Sequence, residues 1–292
     1  MSKIYPDQFL GLPPCSEDEA DVIILPLPLE KTVSYGSGTS RAPWAIINAS
    51  CQIELFDEQT AVDFEQGPKI HTSPPVPYGS SVRKYLAAVR ERVTTHRGKF
   101  VLALGGEHTV SYGVARGLTD DISGLTVVQI DAHADLAEEL DGQQWSHGTV
   151  MKRLWEGGCR LMQIGVRSLS RPEYDLATGD PRIQTYFAHR LSEQWGEVID
   201  ALKQLTGEVY LSIDVDGLDP SVIPTTGTPQ PDGLSWRQMV EVLRAVTSGP
   251  CHLVGADICE FIPSTPPPGR DLVPAKLATK VLAFWWQASG KR

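Results

Sequence analysis

Closely spaced acidic residues and histidines occur in three short segments of this 292-residue chain. The segments read GGEH at residues 105–108, DAHAD at residues 131–135 and DVDGLDP at residues 214–220. Carboxylate and imidazole groups are the side chains that bind divalent cations and transfer protons. Their repeated occurrence within a few residues of one another therefore indicates a metal site or an acid–base site.

Each segment directly follows a run of apolar residues that is typical of a buried strand, at residues 100–104, 126–130 and 209–213. Ligands of open α/β sheets bind beyond the carboxyl ends of the strands, so we expect the three segments to face one pocket. Alternate residues of an extended chain point the same way, which predicts that the acidic residues within each segment converge. The candidate metal ligands are His108, Asp131, His133, Asp135, Asp214 and Asp216.

Four of these six candidates are aspartates. Carboxylates that lie so close together repel one another unless cations lie among them. Two divalent ions supply four positive charges against the four aspartates. Sites rich in oxygen ligands, with two imidazoles and no thiolate, favour manganese or magnesium over zinc. The sequence therefore predicts a dinuclear manganese site.

Short apolar runs alternate with segments of helical spacing along the chain, which predicts a parallel sheet covered by helices on both faces. The predicted fold is a three-layer α/β/α arrangement in a single domain of residues 1–292, with residues 1–20 as an N-terminal extension. We expect strands at residues 22–25, 100–104, 126–130, 161–166, 209–213 and 253–258, and helices at residues 82–93, 148–155, 191–205, 236–246 and 274–289. In the last helix, Trp285 and Trp286 could close the core or cover a subunit contact.

Composition excludes several classes of partner. The formal net charge is −10, which repels phosphate backbones and gives no basic surface for nucleic acid. No apolar run approaches the roughly 18 residues of a membrane span, and no secretory signal is found near the start. The five cysteines form no C-x-x-C pair, which indicates neither a disulfide framework nor a structural zinc site. We therefore expect a cytoplasmic protein.

Together with the segment DICE at residues 257–260, the three acidic segments resemble, in this order, the signatures of the arginase/agmatinase (ureohydrolase) family. The resemblance runs from about residue 20 to the end of the chain. It implies a central, mainly parallel eight-stranded sheet, two Mn²⁺ ions per subunit and a homotrimer or homohexamer. It also implies that a metal-bridging hydroxide hydrolyses a small cationic guanidino substrate to urea and an amine.

The resemblance also assigns roles to residues. One ion would be held or bridged by His108, Asp131, Asp135 and Asp214, and the second would be completed by His133 and Asp216. The sequence does not settle which carboxylates bridge the ions, and the family pattern suggests Asp131 and Asp214 or their neighbours. His147 resembles the catalytic histidine that protonates the leaving amine, and Glu260 resembles the carboxylate that pairs with the guanidinium group of the substrate.

The loop at residues 136–145 bears on the substrate. Arginases bind the amino-acid end of arginine through Asn and Ser side chains in this loop, and none is found here. If the loop faces the substrate, Glu138, Glu139 and Asp141 would attract a cationic tail; if it faces solvent, they are merely solvated. Agmatine, giving urea and putrescine, is the predicted substrate. The alternatives are N1-aminopropylagmatine, giving spermidine, and then a guanidino acid or arginine.

Two other classes compete with a ureohydrolase. A zinc deacetylase-like enzyme needs one metal ion and has no use for the further ligands His108, Asp135 and Asp216. A non-catalytic metal-binding relative would not need His147 and Glu260. The ureohydrolase hypothesis uses all of these residues.

Overall fold

The computed structural model describes residues 4–263 and 268–290. Within these residues, eight strands form the central sheet and two short strands form a hairpin. The strands are β1 Val22–Leu27, β2 Phe56–Asp57, β3 Val62–Asp63, β4 Ile70–Thr72, β5 Phe100–Gly105, β6 Leu125–Ile130, β7 Arg160–Val166, β8 Ile183–Phe187, β9 Glu208–Asp214 and β10 His252–Cys259. The central sheet has the order β4-β1-β5-β10-β9-β6-β7-β8, and all of its neighbouring strands run parallel.

Helices cover both faces of this sheet. They are α1 Ala42–Ser50, α2 Val82–Thr94, α3 Val110–Leu118, α4 Val150–Glu156, α5 Arg171–Gly179, α6 Leu191–Lys203, α7 Trp236–Ser248 and α8 Leu272–Ala288. Helices α1, α6, α7 and α8 pack on one face, and α2 to α5 pack on the other. The predicted three-layer α/β/α fold with an eight-stranded sheet is confirmed.

The strands are apolar on both sides because each side is covered by helices. In β1, Val22 and Ile24 pack into the core on the α8 side, whereas Ile23 and Leu25 pack into the core on the α2 side. This explains why the sequence shows continuous apolar runs instead of the alternation of a half-exposed sheet. The six predicted strands coincide with β1, β5, β6, β7, β9 and β10.

The structure adds elements that the sequence analysis did not predict. The edge strands β4 and β8 have three and five residues, and helices α1, α3 and α5 have nine residues each. Short elements give too few turns or alternations for a clear periodic pattern. Trp285 stacks on Phe100 with ring centroids 4.6 Å apart, and both tryptophans pack, partly buried, against the core.

Residues 1–3 of the predicted N-terminal extension lie outside the described residues. The remainder packs on the domain: Phe9 and Leu10 are buried, and their backbone N–H groups donate to Thr72 Oγ1 (2.9 Å) and Ser50 Oγ (2.7 Å). Among the helices of the described residues, none combines the length and the apolar character that crossing a membrane requires.

The strands that precede the acidic segments are neighbours in the middle of the sheet. The order β5-β10-β9-β6 brings the carboxyl ends of these four strands side by side. The turn after β9 lies directly against the end of β6. A Cβ atom on Gly217 would lie 2.6 Å from the backbone nitrogen of Asp131 and 2.7 Å from the carbonyl carbon of Ile130. Only a glycine allows this close approach.

Replacing this glycine tests whether the contact sets the site. We expect Gly217→Ala to cost about 1–3 kcal/mol of stability, because the added methyl group has no free space, and to separate the β6 and β9 turns. Gly196→Ala in α6 is the matched control. Among the described residues, no atom beyond the adjoining helix backbone lies within 4 Å of its added Cβ, so it should stabilise the helix by up to about 1 kcal/mol.

Thermal unfolding of both variants and their divalent-ion binding provide the measurement. Equal melting temperatures and equal ion binding in the two variants would contradict the proposed packing constraint.

Candidate functional site

The turn after β5 carries His108 into the interior. Gly106 and Glu107 donate their backbone N–H groups to the carbonyls of Leu27 and Leu29, both at 2.8 Å. Gly106 is required at this place because its Cβ would lie 2.0 Å from the carbonyl oxygen of Leu29. The turn is thereby fastened to the end of β1, and the side chain of His108 is fully buried.

Three aspartates surround one nitrogen of the His108 ring. Nδ1 lies 2.9 Å from Asp135 Oδ2, 3.1 Å from Asp131 Oδ2 and 3.6 Å from Asp214 Oδ2. Three different strands deliver these groups: β5 leads to His108, β6 leads to Asp131 and Asp135, and β9 ends at Asp214. The structure therefore brings together residues that are far apart in the chain.

A second histidine forms a similar group beside the first. His133 Nδ1 lies 3.1 Å from Asp216 Oδ2 and 3.6 Å from Asp131 Oδ1. Asp131 thus belongs to both groups, with Oδ2 toward His108 and Oδ1 toward His133. All six candidate ligands from the sequence lie in this one cluster.

The acidic side chains do not converge through the alternation of an extended strand. Val215–Gly217 is a 3₁₀ turn, and Asp214 caps it by accepting the backbone N–H of Asp216 at 2.9 Å. Asp214 therefore faces His108 while Asp216 faces His133. Asp135 has a left-handed backbone with φ of 53°. The expectation of an extended chain through these segments was wrong, because turns and not strand pleating direct the side chains.

Two clusters of ligand atoms could each hold a metal ion. The clusters are His108, Asp131 and Asp135, and Asp131, His133 and Asp216; within each, the ligand atoms lie within 4.8 Å of one another. Imidazole nitrogen and carboxylate oxygen are suitable donors for a divalent ion. Asp131 belongs to both clusters, and its carboxylate is held in place because Oδ2 accepts from Gln129 Nε2 and Oδ1 from the His133 backbone, both at 2.7 Å.

Burial makes the aspartates hard to ionise together. Burial and the charge of Asp131 raise the pKa of Asp135 to about 7. Burial, with the charges of Asp216 and Asp131, also raises the pKa of Asp214 well above its usual range. For Asp131 burial acts in the same direction, but hydrogen bonds from His108 and His133 outweigh it and lower the pKa.

The same surroundings favour the charged form of the histidines. Burial acts to lower the pKa of His133, but its contacts with Asp131 and Asp216 outweigh burial and raise the pKa to about 11. Hydrogen bonds with Asp131 and Asp135 likewise raise the pKa of His108 well above its usual value despite burial. Protons on the two rings therefore supply the positive charge that the carboxylates require when no other cation is bound.

Two residues of the cluster open onto a cleft of about 270 Å³. His133, Asp135 and His147 line the cleft together with Ser34 and Glu173. His147 Nε2 lies 3.1 Å from Ser34 Oγ, whereas its Nδ1 is buried without a hydrogen-bond partner among the described residues. Burial lowers the pKa of His147, which favours the neutral ring. His147 also begins the 3₁₀ turn His147–Thr149, so it occupies a helix start and a cleft wall at once.

Glu260 follows β10 and lies against the turn of His108. Its Oε1 accepts the backbone N–H of His108 at 2.6 Å, and its own backbone N–H donates to Gly106 at 2.8 Å. The residue is 8% exposed, has a left-handed φ of 64°, and burial raises its pKa to about 8. Holding a glutamate in this backbone conformation costs about 1 kcal/mol or more, and such strain is common at functional sites.

The loop at residues 136–145 lines the cleft with Ala137 and Leu140, whereas its acidic side chains point elsewhere. Glu138 and Glu139 are exposed, and Glu138 pairs with Lys152 and Arg153 at 3.6 and 3.4 Å. Among the described residues, none of Glu138, Glu139 and Asp141 lines the cleft. These acids therefore gain no support as the group that attracts a cationic tail.

Glu173 is the acid of the cleft wall that the sequence analysis missed. Its carboxylate accepts the backbone N–H groups of Ser170 (2.7 Å) and Leu136 (3.1 Å). The first bond belongs to the capping box of α5, and the second fastens the loop after Asp135. From sequence, the pattern Ser-x-x-Glu indicates only a helix start. No signal in the sequence brings α5 to the cleft.

Comparison with known proteins gives a consistent result. A family model described as the Arginase family matches residues 20–283. An N(1)-aminopropylagmatine ureohydrolase of Synechocystis sp. is 31% identical over 94% of this chain and 92% of that protein. Another, of Thermus thermophilus, is 36% identical over 85% of this chain and 84% of that protein.

Among solved structures, an agmatine ureohydrolase of Thermoplasma volcanium has a TM-score of 0.83 and 25% identity. The similarity covers 98% of this chain and 95% of that chain. The resemblance that was noted from the sequence motifs is thereby confirmed. The chain belongs to the arginase family and is a ureohydrolase, an enzyme that hydrolyses guanidino C–N bonds.

Proposed function

We propose that this chain is a manganese-dependent ureohydrolase that converts a linear guanidino amine to urea and a polyamine. The observation that carries the proposal is the shared position of Asp131. Its two oxygens face two separate histidine-containing groups, each of which places one residue, Asp135 or His133, in the wall of the same cleft. A single zinc ion, as in a deacetylase-like enzyme, would use only one of these groups.

The residues fit a pair of divalent ions. One ion would be held by His108, Asp131, Asp135 and Asp214, and the other by Asp131, His133, Asp214 and Asp216. The donors are carboxylate oxygens and imidazole nitrogens with no thiolate, which suits manganese. When bound, such a pair lowers the pKa of water so that a nucleophile forms near neutral pH.

His147 is the group that we assign to proton transfer. Its lowered pKa leaves the ring neutral at physiological pH, so Nε2 accepts a proton and returns it to the leaving amine. The hydroxyl of Ser34, 3.1 Å from Nε2, holds the ring toward the cleft. For Glu260 we propose the pairing with the guanidinium group, where a buried carboxylate gives a strong, directional contact.

The far end of the substrate is proposed to face Glu173. No ion pair between described residues includes Glu173, so its charge is free to attract an ammonium group. Agmatine ends in such a group, and N1-aminopropylagmatine carries two amines. The Synechocystis and Thermus relatives are N(1)-aminopropylagmatine ureohydrolases, which favours the second compound as the substrate. We therefore expect its kcat/KM to equal or exceed that of agmatine.

The metal-free protein should lose stability as the pH rises. The folded-state pKa values of Asp135 (about 7) and Glu260 (about 8) lie above those of the unfolded chain. The unfolded chain therefore releases these protons first, and stability falls between about pH 4 and pH 8. His133, raised to about 11, adds to the loss above about pH 6.5.

Thermal unfolding with chelator at a series of pH values provides the measurement. Saturating Mn²⁺ should abolish or reverse the loss, because ion binding requires deprotonated ligands. The variant Asp135→Asn should show a shallower loss between about pH 4 and pH 7 without metal. A melting temperature of the metal-free protein that stays constant or rises over this range would contradict the account.

A urea-release assay tests the activity itself. We expect release from agmatine and N1-aminopropylagmatine at rates at least about 100-fold above those from arginine, guanidinobutyrate and guanidinopropionate, because the last three place a carboxylate near Glu173. Chelation should abolish release and Mn²⁺ should restore it. Full activity in metal-free protein would rule out the proposed function.

Variants of Glu173 and Glu139 test which acidic residue binds the cationic end of the substrate. Glu173→Gln should lower kcat/KM for the two cationic amines by about 10-fold while that for guanidinobutyrate stays constant or rises. Glu139→Gln removes an equal charge from the exposed loop and should leave all rates unchanged. If instead Glu139→Gln gives the larger loss, the loop acids and not Glu173 bind the tail.

A further inference from the structure

A second buried carboxylate lies behind the metal-binding cluster. Asp257 on β10 is fully buried, and none of the ion pairs between described residues includes it. Its oxygens instead accept from neutral donors: the hydroxyl of Tyr210, the hydroxyl of Ser212 at 3.1 and 3.2 Å, the backbone N–H of Ile213 at 3.3 Å and the thiol of Cys259 at 3.5 Å. A carboxylate buried without a cation is costly, so a purely structural role is a poor explanation for it.

The hydroxyl of Ser212 connects this carboxylate to the candidate metal site. Ser212 Oγ lies 2.8 Å from Nε2 of His108, on the side of the ring opposite Nδ1. Its other polar neighbour, Ser111 Oγ, is more distant at 3.4 Å. The shortest path from Asp257 to the first ion group therefore runs through Ser212 and His108.

The direction of the hydrogen bonds follows from what each group can donate. A carboxylate only accepts, so Ser212 gives its one proton to Asp257 and turns a lone pair toward His108. His108 must then carry a hydrogen on Nε2, so that its neutral form has the lone pair on Nδ1, the nitrogen beside Asp131 and Asp135. A neutral histidine binds a metal ion only through the nitrogen that carries no hydrogen.

We propose that Asp257 is a positioning residue, which fixes the proton of His108 on Nε2 through the Ser212 hydroxyl and so keeps Nδ1 available to a metal ion. The inference rests on the proposed function, because it requires that His108 binds an ion. Tyr210 has a supporting role. Its hydroxyl donates to the same carboxylate, and within the described residues no hydrogen bond joins it to Ser212 or His108.

The second ion group has no such support. His133 is 26% exposed in its side chain, and no hydrogen bond of its Nε2 is found in the described part of the chain. Removal of the Asp257 charge should therefore weaken one ion site and spare the other. A general disturbance of the core would weaken both.

Divalent-ion binding to the chelator-treated full chain tests this asymmetry. In Asp257→Asn, the side-chain amide donates to Ser212, which frees the serine proton to point at Nε2. Titration with Mn²⁺, followed by electron paramagnetic resonance and calorimetry, should show one site of wild-type affinity and one weakened roughly 10- to 100-fold. The melting temperature of the metal-free variant shows whether the fold is retained.

Two further variants keep the test decisive. Ser212→Ala breaks the path without touching the buried charge and should give the same loss of one site, even if Asp257→Asn fails to fold. Tyr210→Phe removes a different contact of Asp257 and should retain both sites within about threefold of wild type.

The outcomes separate the two proposals. If the wild-type chain binds two ions and Ser212→Ala also binds both with unchanged affinity, the role of Asp257 is overturned and the proposed function stands. Equal weakening of both sites would overturn it as well. If the wild-type chain binds no pair of ions, the proposed function itself fails.

Discussion

Electrostatic repulsion among buried carboxylates is the constraint on which the structure depends. Asp131 and Asp135 follow β6, Asp214 and Asp216 follow β9, and the two turns bring all four carboxylates around His108 and His133 with Glu260 beside them. A folded chain tolerates this arrangement only if positive charge lies among the groups. Two protonated histidines provide it in the absence of metal, and divalent ions provide it better. The raised pKa values of Asp135 and Glu260 express the same requirement.

The fold brings the carboxylates and histidines together at the carboxyl ends of the central strands. Strands β5, β10, β9 and β6 are neighbours, so their turns lie at one edge and each carries a residue of the candidate site. Tight glycine contacts at Gly106 and Gly217 hold two of these turns against adjacent strands. Left-handed backbone at Asp135 and Glu260 adds strain at the site. The rigid apolar layers on both sides of the sheet stabilise this strained backbone, which the turns alone would not hold.

Much of this arrangement follows from local sequence. Long buried strands were predictable because helices on both faces demand continuous apolar runs. The clustering of His108 with the aspartates was predictable because these residues directly follow such runs. Strand order was not, since β10 lies between β5 and β9 through contacts that are distant in the chain. The turn at Val215–Gly217 replaced the expected extended geometry because Asp214 caps it.

The positions of the charged side chains in loops could not be predicted from the sequence either. Glu138 was expected to face the substrate if its loop did, but it pairs with Lys152 and Arg153, which lie on a helix that follows it. Glu173, which does line the cleft, has the sequence pattern of an ordinary helix cap. Local composition reports that an acid is present, whereas tertiary packing decides whether it faces solvent, a cation or a ligand.

The most direct measurement is an anomalous-difference map, recorded at the manganese absorption edge, from crystals of the chain grown with Mn²⁺. The account predicts two peaks per chain on either side of the Asp131 carboxylate, one against His108 and Asp135 and one against His133 and Asp216. A single peak, or peaks that do not contact Asp131, would contradict it.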